Sequence, residues 1–191
     1  MKIQWPPAAL GLGPQLNLVM LLPDRRTRLG GHALQQVGLA IALAMVIAAI
    51  DQVFFGGMTA QRTPALDLHP TPPARVIVTF AGGLVEELLF RVLVATGVAS
   101  LLWMGIRRAS GESRFGVATA QWTGVIAAAV FVAVWHVGMS NDAGGAARVV
   151  AVNLIANLLY GWTWWRRGLE MAVLTHGTLN ASLYLGLPLL H

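Results

Sequence analysis

The chain has 191 residues, of which 13 are Lys or Arg and 8 are Asp or Glu, so charged side chains make up 11% of it and the formal net charge is +5. An ordinary soluble domain carries roughly 25% charged residues; here 56% are hydrophobic and the mean hydropathy is +0.65, which excludes a polar aqueous surface and leads us to expect an integral membrane protein. The lack of Cys excludes disulfide scaffolds, thiolate zinc sites, iron–sulfur clusters and cysteine nucleophiles, and the basic residues sit in short clusters between apolar runs, as membrane orientation signals do, which argues against a nucleic-acid partner.

Residues 1–32 hold Lys2, Trp5-Pro6-Pro7 and an apolar stretch interrupted by Pro14, Gln15 and Asn17. This is too short for a span, and no small-x-small cleavage site precedes Arg25-Arg26, so it reads as a cytoplasmic or interfacial leader and not as a removable signal peptide. Residues 33–74 hold the first span, about 33–55, closed by Gly56-Gly57, and a polar loop in which Pro64, Pro70, Pro72 and Pro73 break any helix until about Arg75. Residues 75–191 form a core of four segments. The first, about 75–104, is apolar apart from Glu86, Glu87 and Arg91; the others are about 117–138, about 149–165 after the turn SNDAGGAAR, and about 169–188. About 20 apolar residues cross a 30 Å hydrocarbon layer, so the expected fold class is all-α, a polytopic transmembrane helical bundle of about five spans.

Alternating the loops between two sides tests this layout. Lys2, Arg25, Arg26, Arg28, Arg107, Arg108, Arg114, Arg166 and Arg167 fall on one side, against Arg62, Arg75 and Arg148 on the other. The excess predicts a multi-pass protein with its N-terminus in and its C-terminus out. Trp103, Trp162, Trp164 and Trp165 stand beside the inner Arg pairs, where an interfacial aromatic belt belongs.

Glu86, Glu87 and Arg91 lie where an ionisable group costs about 2.5–3.5 kcal/mol to insert, which makes them a functional hypothesis. Glu87 and Arg91 are four residues apart and can pair on one helix face, whereas Glu86 points about 100° away and is left for other work. Gly82-Gly83 just before them would let a backbone or a substrate approach. The other polar intruders are His136 near the end of the third span, and His176 with Asn180, again four apart, on the fifth. A carboxylate with an imidazole can hold and deprotonate a water, and a second imidazole with an amide can donate hydrogen bonds to the oxyanion of a tetrahedral intermediate. Asn153 and Asn157 read as interhelical hydrogen-bonding residues. His32, His69 and His191 receive no role, and Asp142 and Glu170 border loops.

The residues EELLFR at 86–91 fit an E-E-x-x-x-R signature, HGTLN at 176–180 fits H-x-x-x-N, and His136 ends the span between them. In order and spacing the chain resembles, over about residues 75–188, the CPBP family of intramembrane proteases, which contains the type II CAAX prenyl endopeptidases and bacteriocin-processing relatives. The resemblance implies that Glu86 with His136 activates water, that His176 and Asn180 form the oxyanion site, and that Glu87 and Arg91 support the first core helix. It implies an endopeptidase acting on a peptide or protein with a membrane-associated terminus, in a bacterial or archaeal cytoplasmic membrane. Two positions depart from the pattern. Val132 stands four before His136, with Phe131 one residue away from the usual Phe position, and Val92 follows Arg91 where Gly is common.

Three alternatives use the same residues. Glu86, His136 and His176 would give zinc three ligands and leave a fourth position for water, but Asn180 has no role in such a site, and the favoured reading is a glutamate mechanism with no cofactor. A non-enzymatic peptide-binding or immunity protein would keep the polar cluster without chemistry, and a proton or ion carrier would use it as a relay. Depth sets a further condition. Glu86, about 21 residues from Arg107 and 11 from Arg75, and His136, about 22 from Arg114, both belong to the outer half of the bilayer. His176 is about 9 residues from Arg167 and reaches that level only if the turn there dips into the membrane or the fifth helix is short.

Overall fold

The computed structural model describes residues 23–55, 71–111, 113–138, 140 and 143–186. Among them the secondary structure is entirely helical: α1 (Pro23–Phe55), α2 (Pro72–Glu87), a π-helical segment (Leu88–Ala95), α3 (Thr96–Ser110), α4 (Arg114–Val137), α5 (Ala143–Arg167) and α6 (Leu169–Ala181), which ends in a π turn (Ser182–Gly186). Four helices, Gly31–Phe55, Pro73–Ser110, Arg114–Val137 and Ala143–Arg167, are long and apolar enough to cross a membrane. The all-α membrane bundle expected from composition is therefore the fold. The fifth segment is a shorter helix held within the bundle, with Leu169, Met171, Ala172, His176 and Leu179 buried.

Several boundaries differ from the sequence reading, each for a local reason. The helix expected to begin near Arg75 begins at Pro72, with Pro at its first positions; a first-turn residue has no intrahelical acceptor for its N–H, so proline does no harm there. The part of the expected turn from Ala143 to Arg148 is the start of α5. It is held because Arg148 Nε donates to Asp51 of α1, whose carboxylate is fully buried. The helix of the first span starts at Pro23, within the stretch read as leader. Residues 1–22, most of the Pro-rich loop with His69, Asp142, and His191 lie outside the described residues.

Neighbouring core helices are joined by tight reversals. Gly111 and Gly168, at φ 75° and φ 98°, turn α3 into α4 and α5 into α6, a backbone region that is open to Gly because it lacks a Cβ. Ser113 caps α4 by accepting from Gly116 N at 3.0 Å.

Small residues set how close the helices come. A Cβ on Gly124 of α4 would run into the Ala95 carbonyl oxygen, and one on Gly161 of α5 would lie 2.6 Å from Val125 Cγ1. Without a hydrophobic driving force between helices in lipid, such close approach supplies the packing energy. Helix α1 buries one face, Gln36, Ala40, Ala44, Ile47 and Asp51, at the three- and four-residue spacing of a helical stripe. That stripe packs with Ala156 and Tyr160 of α5 and with Leu179 and Leu183.

The fifth segment is short, 13 residues, which is one of the two forms of the depth condition. Trp165 packs edge-on against Trp122, with ring centroids 5.5 Å apart, and Trp122 lies roughly 12 Å along α4 from its Arg114 end. The turn after Arg167 is thus recessed into the bundle from the Arg-rich end. Helix α6, starting at Leu169, then needs only two turns to bring His176 to the level of the glutamates.

Candidate active site

The helix that carries the glutamates changes winding at the site. Regular α-helix ends at Glu87 and the wider π winding runs from Leu88 to Ala95, with Thr96 Oγ1 donating to the Arg91 carbonyl at 3.0 Å across the widened turn. Such π segments recur at functional sites because they re-aim side chains that a regular helix would place elsewhere.

Glu87 and Arg91 are both fully buried and pair as their spacing suggests. Arg91 Nε donates to Glu87 Oε2 at 3.0 Å and Arg91 Nη2 to Glu87 Oε1 at 3.3 Å. Arg91 Nη2 also donates to Asn157 Oδ1 on α5, and Asn157 Nδ2 donates to the Asn153 carbonyl at 2.9 Å. Asn157 therefore joins two helices, whereas Asn153 Nδ2 donates to the Val149 carbonyl of its own helix. A buried pair supplied with further hydrogen bonds offsets the cost of taking two charges out of water.

His176 lies between the two glutamates. Its Nδ1 is 3.0 Å from Glu87 Oε1, and its Nε2 faces Glu86 Oε2 at 3.9 Å. Glu86 keeps 33% of its side chain exposed while that of His176 keeps 5%, so Glu86 is the member of the cluster open to an incoming molecule. Two features fix the imidazole plane. The ring of Tyr160 stacks on it, with centroids 4.4 Å apart and planes at 13°, and on α2 a Cβ at Gly83 would come within 3.3 Å of His176 Cγ. One residue on, a Cβ at Gly177 would enter the ring of Phe80, so α2 and α6 meet as closely as their backbones allow.

His136 is half-buried near the end of α4, with Nδ1 2.9 Å from the Val132 carbonyl oxygen of its own helix. Among the described residues no hydrogen bond or ion pair joins it to Glu86. Their relation along the helices is given by register alone. Ala95 and Ala99 face Gly124, and Phe90 packs on Phe131 with centroids 5.9 Å apart. One turn further along each antiparallel helix stand Glu86 and the Trp135-His136 pair. The displaced Phe of this region has a packing role: Phe131 also stacks with Trp135 at 6.2 Å, while Val132 points into the core. Asn180 is half-buried one turn beyond His176 and makes no hydrogen bond to the cluster among the described residues.

Sequence reasoning missed two contributors. Tyr160, one of only two Tyr in the chain, carried no motif, and Gln36 sits in a segment with no recognised pattern. The Gln36 amide nitrogen donates to Thr175 Oγ1 at 3.0 Å and to Thr163 Oγ1 at 3.3 Å, and its oxygen accepts from Arg167 Nε at 3.2 Å. The only available signal was a polar residue recurring on an otherwise apolar helix face.

Among the described residues no three His, Cys, Asp or Glu are grouped to hold a metal ion; Glu86 and His176 approach one another, and His136 is tied to its own helix. The geometry supplies instead a buried, oriented imidazole beside an accessible carboxylate, an arrangement suited to proton transfer and to polarising a carbonyl.

Comparison with known proteins matches residues 69–182 to the family described as type II CAAX prenyl endopeptidase Rce1-like. No curated protein and no solved structure matches the chain.

Proposed function

The chain belongs to the Rce1-like type II CAAX prenyl endopeptidase family, a family of membrane proteases, and from that premise we propose that it is an intramembrane endopeptidase of the glutamic type. Its substrate is a peptide or protein with a membrane-associated terminus. The observation that carries this reading is the facing pair of Glu86 Oε2 and His176 Nε2, 3.9 Å apart, backed by the buried Glu87–Arg91 pair.

In the proposed mechanism Glu86, with His136, takes a proton from a water whose oxygen attacks the peptide carbonyl. Two groups that share a water stand farther apart than two in direct contact, and the Phe90–Phe131 contact, one turn from Glu86 and from the Trp135-His136 pair, supports this pairing. His176, donating at Nε2, and the Asn180 amide stabilise the oxyanion. The intermediate collapses as the C–N bond breaks, and the leaving amine takes the proton held by Glu86. A zinc ion, if bound, would supply a more acidic water, but no step here is routed through one. The loop charge count supports a multi-pass protein of a bacterial or archaeal cytoplasmic membrane with its N-terminus in and its C-terminus out.

The test is processing of candidate membrane substrates encoded nearby, co-expressed with the wild type, Glu86→Gln or His176→Ala, together with chelator treatment of the purified protein. Loss of cleavage in both variants, with chelator resistance of the wild type, is the expected result. Chelator sensitivity would transfer Glu86 to a metal site. Cleavage that persists in Glu86→Gln would overturn the catalytic assignment and favour a peptide-binding protein.

A further inference from the structure

We propose that Tyr160 is a positioning residue for His176, its ring serving as the floor that fixes the imidazole plane so that Nδ1 meets Glu87 while Nε2 faces Glu86. A single hydrogen bond holds a point and not a plane. With Nδ1 tied to Glu87 Oε1 at 3.0 Å, the ring is still free to swing about that contact and carry Nε2 along an arc. Stacking on Tyr160 at 4.4 Å and 13° removes that freedom from one face, and Gly83 lies close along the ring as well.

A floor works only if it does not move. Tyr160 is 2% exposed and sits in a cluster with Ala40, Ala44 and Ile47 of α1 and with Leu179 and Leu183 beyond it. Next to it, Gly161 draws α5 against Val125 of α4. Helix α1 is itself pinned along α5 at two levels, by Gln36 with Thr163 and by Asp51 with Arg148. It lies outside the family match at residues 69–182, so the orientation of the imidazole depends on a helix that carries none of the motif residues.

The kinetic arm of the test rests on the endopeptidase reading; the spectroscopic arm does not. In the full chain, labelled at His and reconstituted in nanodiscs, the His176 ring resonances are assigned by their loss in His176→Gln. Stacking over an aromatic face displaces them upfield. The displacement is expected to persist in Tyr160→Phe, which keeps the face, and to be lost in Tyr160→Leu, which keeps apolar bulk without a flat ring; if Tyr160→Leu does not fold, Tyr160→Met carries the comparison. On a cleaved substrate, Tyr160→Leu should lower kcat by about tenfold to a hundredfold, the scale of a misplacement near 1 Å, with KM unchanged within about twofold and Tyr160→Phe near wild type. His176 resonances that are the same in Tyr160→Leu and the wild type overturn the proposal and leave the protease reading standing. Cleavage that persists in Glu86→Gln overturns the protease reading while the spectra still decide the role of Tyr160.

Discussion

The imidazole of His176 on α6 is tied through Nδ1 to the fully buried carboxylate of Glu87 on α2, at 3.0 Å. Glu87 thus serves two partners, since its oxygens also receive Arg91 Nε and Nη2. Replacing it with Gln keeps the shape and removes the charge, leaving Arg91 buried without its counter-ion. We expect Glu87→Gln to destabilise the bundle by about 3–5 kcal/mol. Adding Arg91→Met should recover most of that loss, read as unfolding midpoints in detergent.

Asn157 is the second acceptor for Arg91 and links α5 to the π segment. Asn157→Leu removes a hydrogen bond to a charged group, and a loss of about 1.5–3 kcal/mol is expected. Asn153→Leu touches only a bond within α5 and should cost less in the same unfolding assay.

Neighbouring glycines on α2 make opposite predictions. Nothing lies within 4 Å of a Cβ built on Gly82, whereas one on Gly83 meets His176 at 3.3 Å. Gly82→Ala should be neutral or stabilising by up to about 1 kcal/mol through helix propensity. Gly83→Ala should leave folding nearly intact and lower cleavage, which a stability scan and an activity assay on the same samples will separate.

Gly177 admits no side chain because the Phe80 ring fills the space. Gly177→Ala should cost about 1–3 kcal/mol through overpacking. Trimming the obstacle with Phe80→Ala should restore part of the loss, and a double-mutant cycle measures that coupling.

Asp51 and Arg148 pin α1 to α5, with side chains 0% and 14% exposed. Asp51→Leu alone strands a largely buried guanidinium and should destabilise the fold by about 3–5 kcal/mol. The double variant Asp51→Leu/Arg148→Leu should lie close to wild type, since two apolar residues strand no charge. A double-variant midpoint as low as that of Asp51→Leu would show that the pair holds α1 by more than charge balance.

Much of the protein could be read before folding it. Composition gave the class, because 11% charged residues cannot cover a water-facing surface. The spacing of Glu87 and Arg91 gave their pairing, because residues four apart share a helix face. Turn boundaries were harder: Ala143–Arg148 looked like a loop, and its helical start is held by Asp51 nearly a hundred residues earlier in the chain. Tyr160 was invisible for the same reason, as nothing near it in sequence requires an imidazole on its ring face.

The sequence by itself determined the apolar, helical character of the long segments, the E-E-x-x-x-R and H-x-x-x-N motifs, and therefore the family, since these depend on hydropathy and local periodicity, whereas the fifth expected span is a short helix within the bundle. Only the tertiary structure decided that the turn after Arg167 is recessed, that His176 rests between Glu86 and Glu87 on the face of Tyr160, and that α1 braces the arrangement. Those relationships are set by how closely glycines such as Gly83, Gly124, Gly161 and Gly177 let helices approach. Helix separation and register are collective results of packing, and no local pattern encodes them.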